Sequence, residues 1–411
     1  MTRTAARRLS GDRDAVVHKA AFSAPQRGQA LIIVLVLLAV GATALIFTLA
    51  TPATTTIEND KKTAAALAQG RDALIGYAAA DNRPGSLPCP DINNNGSAES
   101  PIPTDCPGYV AGSSVYVGRL PWRTLRLPDL RDGSGERLWY AVSREFARNS
   151  SSCGSCPLNS DTSGLLTVSG SASGIIAIVF SAGAVVNAQV RGTVNENTAA
   201  NYLEGGNENG ATTSIFFASS TSSFNDKLLT ITSDDLFSVV TMRVAREVRA
   251  ALNQYYARTG VFPSANQYSD NTYKCHPTTY DGRIPLNITV GCAVPPANFA
   301  DWALGELPPW FVSNNWNLVV HYAVSSWCAS TNASDISQCS SAGGLTVTGV
   351  TTKGRALIIA TGRRLGAQVR PCSSASNCLE DVENANGDTL FVPPVRSALN
   401  NDRLLLVAEA P

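Results

Sequence analysis

The residues best placed by type and spacing to do chemistry lie in DINNNGSAE, between Cys89 and Cys106. Asp91, Asn93 and Asn95 put oxygen-bearing side chains at alternate positions, Gly96 follows, and Glu99 adds a second carboxylate. A hard cation takes six or more oxygens around a sharp turn, so this run reads as a candidate calcium loop. The twelfth position from Asp91 is Ile102 rather than a bidentate glutamate, which keeps an ordinary Asn-Gly turn as the alternative. No such ladder lies between Cys275 and Cys292. No cofactor other than calcium is expected.

Ten cysteines stand at Cys89, Cys106, Cys153, Cys156, Cys275, Cys292, Cys328, Cys339, Cys372 and Cys378. An even number in the later part of the chain fits disulfides formed in an oxidising compartment. Cys153 and Cys156 form a lone CxxC with no second pair or nearby histidines to complete a zinc set. Equal spacing pairs Cys89 with Cys106 and Cys275 with Cys292, while proximity pairs Cys153 with Cys156, Cys328 with Cys339 and Cys372 with Cys378. The chain has three histidines, His18, His276 and His321. No GxSxG or SxxK context accompanies its many serines, so no enzyme is expected. Lys plus Arg and Asp plus Glu are both 32, which argues against a nucleic-acid partner.

The elements that must carry these residues begin with an apolar run. The 21 residues Ala30–Ala50 hold no charge and no proline, and as a helix they rise about 31 Å, enough to cross a bilayer. Arg3, Arg7, Arg8, Arg13, Lys19 and Arg27 precede it against Asp12 and Asp14. The expectation is a single pass through an inner membrane, with residues 1–28 cytoplasmic and the rest periplasmic or extracellular. An uncleaved signal anchor accounts for the run as well. Arg27-Gly28-Gln29 directly before the run resembles the class III signal of type IV pilins and type II secretion pseudopilins. The resemblance implies cleavage by prepilin peptidase between Gly28 and Gln29, assembly with other pilins or pseudopilins, and a place in a surface filament. Most of that family has glutamate as the fifth mature residue; here it is Ile33, which implies a minor or tip subunit. The rival reading is a permanently anchored periplasmic binding protein or hydrolase with two repeated β-rich domains.

Beyond the run, Asp60–Ala80 is alanine-rich with Leu67, Leu74, Ile75 and Tyr77 near one helical face. A second helix is expected over 233–258, capped by Ser233, with Leu236, Val240, Val244, Val248 and Leu252 every fourth residue, and stopped by Gly260 and Pro263. Its close, NQYYARTGVFP, resembles the point where a pseudopilin helix hands over to its head. GLLTVSG and IIAIVFSAG read as strands, and AVVNAQVR as a further apolar run or edge. The two halves match in order: RDALIGY with RAALNQY, RLWYAVS with VVHYAVS, LTVSG with LTVTG, AQVR twice, NYLE with NCLE, and NDKLL with NDRLL. Such a series marks an internal duplication. His321 falls where Trp139 stands in the first half, which favours packing over catalysis. The expected fold is α+β: leader 1–28, transmembrane and extended helix 29–80, a first pilin-like head 81–232 and a second 233–411, each a helix on an antiparallel sheet.

Overall fold

The computed structural model describes residues 55–101, 104–108, 110–147, 156–219, 221, 223–292, 300–329 and 344–409. Its first element, helix α1 (55–80), buries Ala66, Leu67, Gly70, Leu74 and Ala78. Spacings of three and four put these on one stripe. Gly70 permits a close approach, because a Cβ there would sit 3.1 Å from the Leu120 side chain. The opposite face, and all of residues 55–62, are exposed.

The stripe lies on a four-stranded antiparallel sheet ordered β1-β2-β5-β7, built from β1 (Val115–Arg119), β2 (Trp139–Ser143), β5 (Ala177–Ser181) and β7 (Lys227–Ile231). Both central strands, WYAVS and AIVFS, are buried at every position. They read as continuous apolar runs because each face is covered. On one face Tyr140, Val142 and Val179 join the α1 core. On the other, Trp139, Ile178 and Phe180 meet Leu166, Val168 and Phe216 of a small sheet formed by β3 (Leu166–Val168), β4 (Ala172–Ile175) and β6 (Ile215–Phe216), in which β6 runs parallel to β3. The run 184–191 forms no strand, and Val185 and Val190 are exposed.

The second half repeats this plan. Helix α2 (Ser233–Thr259) packs on a sheet ordered β8-β9-β11-β13, from β8 (Asp281–Arg283), β9 (Val320–Val324), β11 (Gly354–Ala360) and β13 (Arg403–Glu409). A parallel pair, β10 (Thr346–Val347) with β12 (Leu390–Phe391), covers the far face. Register agrees between the halves: Trp139 lies between Arg119 and Phe180, as His321 lies between Arg283 and Ile359. The N-cap of α2 is Thr232 rather than Ser233; it forms a capping box with Asp235, and Gly260 ends the helix at φ 77°. The two cores are continuous, for Phe237 of α2 contacts both Phe146 and Trp316 at ring distances of 6.3 Å.

Two expectations need correction. Among the described residues no helix is long and apolar enough to cross a membrane. The reason is charge: α1 carries Glu58, Asp60, Lys61, Lys62, Arg71 and Asp72, and α2 carries Asp234, Asp235, Arg243, Arg246, Glu247, Arg249 and Arg258, side chains that are costly in hydrocarbon. That finding overturns the expected transmembrane helix continuing into the head and the expected single-pass inner-membrane location; the run Ala30–Ala50 lies outside the described residues. The α+β class, with several sheets, stands.

Candidate functional site

Disulfides join Cys89 to Cys106, Cys275 to Cys292 and Cys372 to Cys378. Cys156 and Cys328 are also disulfide-bonded, while Cys153 and Cys339 lie outside the described residues, as do Gly28 and Gln29. The two bridges of 17-residue separation occupy different places. Cys89 and Cys106 both precede β1, whereas Cys275 and Cys292 flank β8, so equal spacing does not mark equivalent positions.

The acidic loop is a brace. Asp91 is 1% exposed; its Oδ1 accepts from the amides of Asn93 (3.1 Å) and Asn95 (3.3 Å), and its Oδ2 from Gly96 (2.6 Å). Glu99 accepts from Asn93 Nδ2 at 2.7 Å, Asn93 Oδ1 from the Asn95 amide, and Asn95 Oδ1 from the Ser97 amide. Every one of the four side chains thus directs an oxygen at an N–H donor, so the loop is held in shape by its own hydrogen bonds. Among the described residues no group of three or more His, Cys, Asp and Glu is placed to hold a metal. Gly96, at φ 87°, lies against Trp122, leaving no room for a Cβ. Arg137 donates to the Asn94 carbonyl at 2.8 Å and ties the loop to the sheet.

At the seam of the halves, a polar cleft of about 500 Å³ opens beside the start of α2, lined by Ser160, Asp161, Ser173, Asp234, Arg363 and Arg364 among others. Arg363 spans it to Asp234 at 2.7 Å. Burial raises the Asp161 carboxyl above its ordinary range, opposed by Arg370 and Arg364. Ser160 Oγ is buried without a hydrogen-bond partner. Such walls can hydrogen-bond a polar molecule, and neither described histidine lies among them. His276 faces Asp270 at 3.3 Å, and His321 lies between the Tyr268 hydroxyl (2.7 Å) and Asp281 (3.1 Å).

Sequence reading did not anticipate two duplicated polar positions. Arg119 is sandwiched by Trp139 and Tyr202, 4.1 and 4.0 Å from the ring centres. Burial pulls its guanidinium down to about 10, so it stays cationic at neutral pH. Arg283 takes the same place in the second half, over the Tyr268 ring. The second position is a carboxyl pair. The Glu204 amide donates to Asp226 Oδ2 at 2.9 Å, while the amides of Asn225 (2.9 Å) and Asp226 (3.2 Å) donate back to Glu204 Oε2. The Glu380 amide likewise donates to Asp402 Oδ2 (3.3 Å), and Asn401 returns a bond to Glu380 Oε2 (3.3 Å). Gln189 and Gln368 reach the outer oxygen of each glutamate at 2.5 and 3.0 Å. The available signal was the recurrence of AQVR, of LE and of ND in both halves, whose residues meet here.

Compared with known proteins, the chain matches no family model, no curated protein and no solved structure.

Proposed function

We propose that the chain is a structural subunit, of minor or tip type, of a type IV pilus or type II secretion filament. The observation that carries the reading is α1: one buried stripe lies on an antiparallel sheet, while residues 55–62 stand exposed at its start. A filament subunit needs such a helix, one part gripping its own lobe and one part left for neighbours. Helix α2 has no such lead, since Leu236 and Phe237 are already buried in its first turns, so the second lobe rides on the first. The Arg27-Gly28-Gln29 junction supports processing by prepilin peptidase, and other pilins or pseudopilins are the assembly partners. The reading assigns the chain no reaction.

Mass spectrometry of the protein from its native host tests this. A mature N-terminus at Gln29, together with recovery of the protein in sheared filaments, is the expected result. A chain keeping its first 28 residues, and absent from filaments, would overturn the proposal.

A further inference from the structure

The sharpest unexplained feature is a pair of bare oxygens. Asp226 is 2% exposed and Asp402 1%, and in both the second carboxyl oxygen, Oδ1, is buried with no hydrogen-bond partner. Each aspartate is held against a glutamate by the reciprocal amide bonds described above. Two ionised carboxylates so placed would repel each other in a poorly solvated site, and a bare buried anionic oxygen is costly. A single proton removes both penalties, as in carboxyl dyads generally.

We propose that each half is latched by one proton shared between a buried aspartate and the glutamate held against it, Asp226 with Glu204 and Asp402 with Glu380, and that losing this proton as pH rises through neutrality loosens the latch in both halves. The latch joins three segments in each copy. In the first, the loop bearing Gln189, the loop bearing Glu204 and the start of β7 meet; Asn207 Nδ2 adds a bond to Asp226 Oδ2 at 2.9 Å. The second copy uses Gln368, Glu380 and the start of β13.

The charges around each pair leave the proton in place. Beside the first, Arg191 donates to Gln189 Oε1 and its own ion partner is Glu136 at 3.5 Å. Lys227, next to Asp226, is held by Asp60 of α1 at 2.6 Å. Beside the second, Arg370 donates to Gln368 and to the Gly362 carbonyl; its charge acts on Asp161, Asp402 and Glu380 alike and draws Asp402 down, against the stronger upward push of burial and Glu380, and Arg363 is paired to Asp234 of α2. Tyr268 faces Asp402 as a neutral phenol. No cation contacts either aspartate directly among the described bonds.

Burial, with the glutamate's charge added, pushes Asp226 up to about 7 and Asp402 well above the ordinary carboxylate range. An unfolded aspartate titrates near about 3.9. Between these values the folded chain holds protons that the unfolded chain has released, so the contribution of the two aspartates to stability is full below about pH 4 and is lost as pH rises toward and past neutrality.

The test is thermal unfolding of the full-length protein from about pH 5 to about pH 8, alone and as Asp226→Asn, Asp402→Asn and the double variant. An Asn amide can donate to the glutamate at every pH. The wild-type midpoint is expected to fall by about 5 °C or more beyond the fall of the double variant, with each single variant removing part of the difference. Hydrogen exchange in 184–226 and 363–402, corrected for intrinsic base catalysis, should rise over the same interval in the wild type alone. Parallel pH profiles for wild type and double variant would overturn the latch. Should the variants fail to fold, carboxyl carbon NMR of the wild type decides: titration of Asp226 and Asp402 alongside exposed aspartates, below about pH 5, refutes it, and titration above about pH 6 upholds it.

Discussion

Asp91, which resembles a metal ligand in sequence, braces its loop when folded. Both its oxygens accept main-chain amides, so Asp91→Ala strands three donors and should lower stability by about 3 kcal/mol. By the same geometry, adding calcium or a chelator should leave the unfolding midpoint within about 1 °C; a rise of several degrees with calcium would contradict the brace. Asn314 at the seam is a second such residue. Its Oδ1 accepts from Arg83 Nε and from the Leu158 amide, both at 3.1 Å, and its carbonyl accepts from Asn159 Nδ2 at 2.9 Å. Asn314→Ala should cost about 2 kcal/mol in denaturant unfolding, whereas Asn314→Ser should recover part of it. The Asn-Gly turn of the Asp91 loop is one of the two readings the sequence allows, but the partners of Asp91 and Asn314 are not legible there, because an acceptor's partners are chosen by the fold. The packing role of His321 could be anticipated, since the aligned residue is Trp139 and a ring is common to both.

Helices and central strands follow from local pattern more directly. Thr232 rather than Ser233 caps α2, a shift of one residue that the capping box settles, since Asp235 is the N3 partner only if Thr232 is the cap. Thr232→Ala should therefore cost about 1 kcal/mol, with Thr232→Ser nearly neutral and Ser233→Ala well below the cost of Thr232→Ala, as read by urea denaturation. AIVFS is recognisable as a strand from the sequence, and WYAVS, VHYAV and RALIIA share its continuous apolar character because sheets covered on both faces leave such runs. The short parallel partners β6 and β12, of two residues each, have no periodicity to detect. Conversely AVVNAQVR looks like an edge strand, yet folds as turns whose Gln189 and Arg191 serve the polar latch. All six tryptophans of the chain invite a core reading, and Trp139 and Trp316 fulfil it, but Trp327 is 42% exposed.

At the scale of the molecule, residues Glu58–Pro411 form one compact unit in which one apolar core runs from α1 through α2 to β11. Arg71 pairs with Asp235 at 2.6 Å across the halves, and Arg243 of α2 donates to the carbonyls of Ala79 and Asp81 at the end of α1. The halves should therefore unfold together, as one calorimetric transition whose van't Hoff and calorimetric enthalpies agree; two separable transitions would show that the shared core contributes little. By itself the sequence determined the duplication, both helices and the central strands, because periodic burial and recurring motifs are properties of neighbouring residues. The tertiary structure alone decided that the two 17-residue bridges sit at unlike places, that Asp91 braces a loop, and that Glu204 and Glu380 each meet an aspartate 22 residues onward. Those outcomes depend on which strands pair, and pairing sums weak contacts over distant segments that no local window contains.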